Sequence, residues 1–266
     1  MVAEKMVPED KKVEENKIEQ NRIEQNKIGE FVSRLRDAAG PNLQSVILFG
    51  SAVAGDFHPE FSDINLFCVI RDSSYAALQT LAPAVKWWGM QQQPAPLFMT
   101  QHELDRSGDI FTIELLDIKQ HHHLLFGEDV LKTLSIPANL HRVQVEYELE
   151  EKLTLLRRNL LLASGNEPQL WDLLLRSVSS FATLFRHALI VLGQDAPPGK
   201  RNSVQALSKH IKFDASGILH VLDVREKRSE RKQFDVTDVF SRYLAALEHV
   251  ADAVDKMLAS NSQRLS

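Results

Sequence analysis

Apolar positions fall into two regimes along this chain. In the first, SVILF (45–49), INLFCVI (64–70) and FTIELLDI (111–118) are short, continuous and rich in branched or aromatic residues, the pattern of buried central strands. PLFMT (96–100) is a weaker fourth strand candidate. Residues 74–90 and 101–107 between them read as helices. Phe31, Val32, Leu35 and Ala38 share a helical face that stops at Gly40-Pro41, a helix-ending pair. From His141 onward the period becomes helical throughout. Leu153, Leu156, Leu160 and Leu161 fall on one face, Leu170 to Leu192 is a long periodic segment, and Val239 to Met257 repeats it through Leu244, Leu247, Val250 and Val254. Breaks at 163–166, at 196–199 and near Ser229 separate these helices. The pattern predicts an α/β (α+β) chain: a mixed-sheet domain over 31–136, then an all-α helical bundle over 141–260.

The first thirty residues follow a different rule. KVEEN, KIEQN, RIEQN and KIGEF repeat every five positions. On a helix each such step turns about 500°, so Val13, Ile18, Ile23 and Ile28 wander around the cylinder and form no seam. Glu14 with Lys17, Glu19 with Arg22, and Glu24 with Lys27 are spaced for weak ion pairing. The reading for 1–30 is a polar, solvated helical extension.

Composition narrows the function classes. The 266 residues hold 31 basic and 36 acidic side chains, a net charge of −5. That balance argues against a nucleic-acid backbone as partner. No apolar run approaches the roughly 20 residues that span a bilayer, so no membrane is expected. The N-terminus lacks the apolar core of a secretory signal, and the lone Cys68 has no internal partner, which together point to a reducing cytoplasm.

Candidate chemistry gathers at two strand ends. Gly50 and Ser51 follow the first strand and precede Ala52-Val53-Ala54. Glycine lets a ligand approach the backbone, and free N–H groups at a helix start, with a serine hydroxyl, suit phosphate oxygens. Asp63 and Asn65 open the next strand two residues apart and share one face, with Ile64 and Leu66 on the other. Glu114 is a further acid inside FTIELLDI, and Asp117 takes its place if the strand phase is shifted by one. Three neighbouring histidines, His121 to His123, cannot converge on one ion from a helix and read as a solvated turn. Lys200 and Arg201 follow Pro197-Pro198-Gly199 and read as a solvated loop, with reach across a cleft as the other option. Glu146, Glu148, Glu150 and Glu151 are all open as an acceptor-side base.

This arrangement resembles the nucleotidyltransferase superfamily of the DNA polymerase β type, especially the minimal nucleotidyltransferases and the kanamycin and streptomycin adenylyltransferases. The family signature is an apolar residue, Gly, Gly or Ser, a spacer of about ten, then acid-apolar-acid-apolar, with a later acid. Here it stands as Phe49-Gly50-Ser51, eleven intervening residues, and Asp63-Ile64-Asn65-Leu66. The resemblance implies that Gly50 and Ser51 hold the triphosphate of a nucleoside triphosphate. It implies that Asp63, Asn65 and Glu114 hold Mg²⁺ or Mn²⁺, with Asp63 and Glu114 catalytic. A nucleoside monophosphate then passes to a hydroxyl acceptor, a small molecule or a protein, between sheet and bundle.

Asn65 departs from the family pattern. Its amide oxygen can ligate Mg²⁺ but brings no charge. Two readings follow: an active metal-dependent nucleotidyltransferase, and a catalytically impaired scaffold serving as nucleotide sensor or interaction module.

Overall fold

The computed structural model describes residues 25–54 and 63–262; the pentad repeat lies outside the described residues up to position 24, and its last unit, KIGEF, is helical with Ile28 and Phe31 in the core, so the solvated extension does not reach residue 30. Helix α1 (residues 25–39) buries Ile28, Phe31, Leu35 and Ala39, spaced three and four apart as one helical face requires. Phe31 stacks on Trp88 with ring centroids 4.6 Å apart. After a short 3₁₀ turn come β1 (Leu43–Phe49), the single turn α2 (Ser51–Ala54), β2 (Asn65–Ile70), α3 (Tyr75–Met90), β3 (Leu97–Thr100), α4 (Gln101–Ser107), α5 (Thr112–Gln120) and β4 (His122–Gly127). The strand order is β3-β2-β1-β4. β1 runs antiparallel to both β2 and β4, and β2 runs parallel to β3, so the sheet is mixed.

Strand alternation sorts the side chains between two layers. Val46, Leu66, Cys68 and Ile70 pack with α1 and α3 through Phe31, Leu35, Leu81 and Trp88. Ile47, Phe67, Val69 and Met99 pack with Leu104, Leu115 and Ile118 of α4 and α5. Cys68 is wholly buried, and burial pushes its thiol pKa up. Trp88 is core and Trp87 lies beneath the Arg34 guanidinium at 4.5 Å. Both tryptophans are packing residues.

FTIELLDI is a helix, contrary to the strand expected there. Its residues face three directions, and a strand offers only two. Ile113 joins the core of the helical region, Leu115 and Ile118 join the sheet layer, and Glu114 and Asp117 line a cleft. Thr112, Ile113, Leu115 and Ile118 are the buried set. The fourth strand is instead HHLLFG, so His122 and His123 sit in β4 and not in a solvated turn.

The helical region comprises α6 (Ala138–Ala163), α7 (Glu167–Val191), α8 (Lys200–Ile211), α9 (Ser216–Arg225) and α10 (Val236–Ser262). They share one core in which Leu149, Leu153 and Leu156 meet Trp171, Leu174, Val178, Phe181 and Phe185, then Val250 and Val254. Leu161 departs from its expected face and is 79% exposed. α7 is long and apolar enough to cross a membrane by length and composition alone. Its apolar side chains form the centre of the bundle. Between α9 and α10 the backbones approach so closely that a Cβ on Gly217 would stand 2.5 Å from the Tyr243 nitrogen.

Candidate functional site

Gly50 ends β1 in the left-handed region, at φ +78°, where residues with a Cβ are strained. The turn carries the Val53 N–H to the Gly50 carbonyl at 3.0 Å. A Cβ added to Gly50 would stand 3.1 Å from Asn65 Nδ2, so the Asn65 amide fills the side of the turn where a side chain would stand. That neighbourhood follows from register, since Phe49 pairs with Asn65 on one side and with His122 on the other. Asp63 lies just before β2 and is exposed. Ser51 opens α2 beside Gly50.

A cleft opens from Gly50 toward the helical region in two lobes. The first, of about 120 Å³, is lined by Gly50, Asp117, His121, Arg186, Lys200 and Ser203 among others. The second, of about 280 Å³, is lined by Phe49, Gly50, Glu114, Asp117, Glu148 and Lys152 among others. Gly50, Asp117 and Thr183 belong to both. The first lobe is rich in cations; the second is rich in carboxylates. Glu148 thereby separates itself from the other glutamates of α6 as the one lining the cleft.

α5 is held at this junction by α6. Phe111, at its N-cap, offers no side-chain acceptor. Gln144 of α6 supplies one instead, its Oε1 accepting from the Thr112 hydroxyl at 2.6 Å and from the Ile113 N–H at 3.1 Å. The same side chain donates from Nε2 to Glu114 Oε2 at 3.4 Å. One residue thus satisfies an orphan helix-start donor and steers Glu114.

Asp117 faces a different set. Arg186 Nη2 donates to its Oδ1, and His187 Nε2 lies 2.7 Å from the same oxygen. Burial alone would raise the Asp117 pKa, but His187 and Arg186 together hold it below the ordinary carboxylate range. His187 is fully buried, and its Nδ1 lies 2.8 Å from His141 Nε2. Burial, then the neighbouring His187, pushes His141 down to about 4. The chain Asp117, His187, His141 links α5, α7 and α6.

Of the predicted site residues, Gly50, Asn65 and Glu114 come to the same cleft or its edge, Glu114 from a helix. β3, beside β2, reads Leu97 to Thr100 and carries no acid. Asp117, the second-ranked metal ligand, is engaged by Arg186 and His187. His122 is likewise engaged, with Nε2 3.2 Å from Asp129 and Nδ1 3.2 Å from the Lys119 carbonyl. Among the described residues no three His, Cys, Asp or Glu side chains are grouped to hold a metal ion. With a neutral amide at Asn65, this donor set does not fit a protein-held pair of divalent ions, whose sites are built chiefly of carboxylates. Arg186, His187 and His141 were missed from sequence, although a charged Arg-His pair inside the apolar run of α7 is a signal of buried chemistry. Lys200 begins α8 and lines the cleft, while Arg201 pairs with Asp223 at 2.8 Å and Glu226 at 2.9 Å.

Residues 26–122 match the family described as nucleotidyltransferase domain. That span, rather than the whole chain, holds a nucleotidyltransferase domain. The matched span contains β1, the Gly50 turn, β2 and α5, and ends at His122 in β4. The domain is that of a transferase of phosphorus-containing groups, and nucleotidyltransferases of this kind typically use divalent metals. Over 87% of this chain and 99% of the other, the fold is similar to that of the spectinomycin adenyltransferase AAD(9) from Enterococcus faecialis, solved with ATP and spectinomycin, at 16% identity and TM-score 0.55. A toxin-antitoxin structure with AMP-PNP aligns over 38% of this chain and 74% of that one, at 18% identity and TM-score 0.28. No curated protein sequence matches.

Proposed function

We propose that this nucleotidyltransferase moves a nucleoside monophosphate from a nucleoside triphosphate to a hydroxyl acceptor within the Gly50 cleft. The observation that carries the reading is that Gly50, Lys200 and the Asp117-paired Arg186 line one lobe, so that two cations share it with the Gly50 turn. Phosphate oxygens suit such a lobe. The acceptor occupies the second lobe, where Glu148 pairs with Lys152 at 2.9 Å and Glu114 is left to meet the hydroxyl compound. The acceptor oxygen attacks the α-phosphorus, the bond to the β-phosphate oxygen breaks, and pyrophosphate leaves. The hydroxyl proton passes to a carboxylate of the acceptor lobe, with Glu114 the nearest in kind to a free base. The spacing of lobes around a shared Gly50 provides the positioning on which phosphoryl-type transfer depends. The lone buried cysteine suits work in a reducing cytoplasm.

A nucleotide sensor or interaction module without turnover is the second reading, and the Asn65 amide favours it. Incubation with α-labelled ATP and a panel of hydroxyl acceptors, beginning with spectinomycin, separates the two. Label in an acceptor together with pyrophosphate release supports transfer. Saturable ATP binding with no transfer supports the sensor, and absence of any nucleotide binding removes both.

A further inference from the structure

In the family pattern the position of Asn65 is an acid whose oxygen faces metal. Here the position is an amide, and its end fills the space beside the Gly50 turn, 3.1 Å from where a Gly50 Cβ would stand. An amide nitrogen has no lone pair for a cation and carries two N–H donors. The surroundings change in the same direction. Asp63 is exposed, β3 lacks an acid, and the described residues hold no three-ligand group. Cationic side chains come instead from Lys200 of α8 and from Arg186 of α7, the latter shared with Asp117.

The geometry points to Asn65 as a phosphate donor: the cleft grips the triphosphate directly, through the Asn65 amide, the Gly50 turn, Arg186 and Lys200, with no need of a protein-held metal. This rests on the reading of the Gly50 cleft as a nucleotide site. An aspartate at 65 would set a carboxylate against phosphate oxygens, a repulsion that only an intervening cation removes. The natural chain and its Asn65→Asp variant therefore have opposite metal requirements.

The experiment is calorimetric titration of the full chain with ATP, in EDTA and in excess Mg²⁺. For the natural protein the two Kd values agree within about threefold. For Asn65→Asp, Kd in EDTA rises at least about tenfold and Mg²⁺ restores it. Asn65→Ala weakens binding equally in both conditions, and the recovery of Asn65→Asp in Mg²⁺ guards against a variant that is merely misfolded. Mn²⁺ resonance without nucleotide gives a second readout, with bound ion rising only in Asn65→Asp. Loss of ATP binding by the natural protein in EDTA alone overturns the inference and leaves the nucleotide site standing. Unchanged EDTA affinity in Asn65→Asp overturns it as well. No ATP binding in either condition overturns the inference and the nucleotide site together.

Discussion

His187 Nε2 and Asp117 Oδ1 meet at 2.7 Å, joining the central helix of the bundle to the helix that lines the sheet's cleft. The histidine is fully buried and the carboxylate only a quarter exposed. Arg186 shares that same oxygen. Removing the carboxylate leaves a half-buried guanidinium and a fully buried imidazole without it as partner. Asp117→Ala is therefore expected to lose about 3 kcal/mol of stability, measured by urea unfolding at neutral pH. A loss within experimental error would show that the contact has no energetic weight.

The same carboxylate gives a pH signature. Its folded pKa lies below the unfolded value, so its contribution is present above the unfolded pKa and is lost as pH falls through the folded one. The natural protein should thus lose more stability than Asp117→Asn between about pH 4 and the acid limit, followed by unfolding midpoints at successive pH values.

His141 acts over a higher window. Its pKa falls to about 4 in the fold, against about 6.5 in an unfolded chain. The unfolded state takes up the proton first, so stability declines as pH drops from about 6.5 toward 4, by at most about 1.4 kcal/mol per unit. His141→Gln should flatten that slope, and proton resonances of the imidazole should show it neutral at pH 6.

Gly50→Ala places a methyl in a left-handed turn and against the Asn65 amide. Backbone strain alone costs about 1–2 kcal/mol. The variant should stay folded by circular dichroism yet bind ATP at least about tenfold more weakly. Undiminished ATP binding would detach the turn from the nucleotide.

Glu114→Gln tests the acceptor lobe. The carboxylate is exposed and its single contact, from Gln144, is long at 3.4 Å, so stability should change by less than about 0.5 kcal/mol. Transfer to the acceptor should fall about a hundredfold or more with ATP affinity unchanged, read by labelled-product yield beside calorimetry.

Much of this architecture was legible from the chain. β1, β2 and the weaker β3 are where branched and aromatic runs are bounded by Gly, Pro and polar residues, and α3 and α4 match the helical spans nearly to the residue. FTIELLDI was misread because an eight-residue apolar run has no period long enough to separate strand from helix. What decides it is tertiary: Ile113 reaches the bundle while Leu115 reaches the sheet. β4 was hidden for the opposite reason, since His122 and His123 look solvated until β1 supplies their ladder. At the site, Gly50 and Asn65 were visible as a motif. The Arg186, His187 and His141 group was not, because α7 carries the first two, α6 carries the third, and only packing brings them to Asp117.

The cleft also has a place in time. Gly50 emerges early from the ribosome, whereas Arg186 and Lys200, which complete its cationic wall, emerge only after α6 and most of α7. Until they emerge, the sheet layer lacks that wall. On the proposed reading of the cleft, nucleotide adds stability only once that wall is in place, because ligand stabilises only a state that binds it. The N-terminal layer must therefore stand on its own packing until the helices arrive, and the ligand rewards completion of the chain.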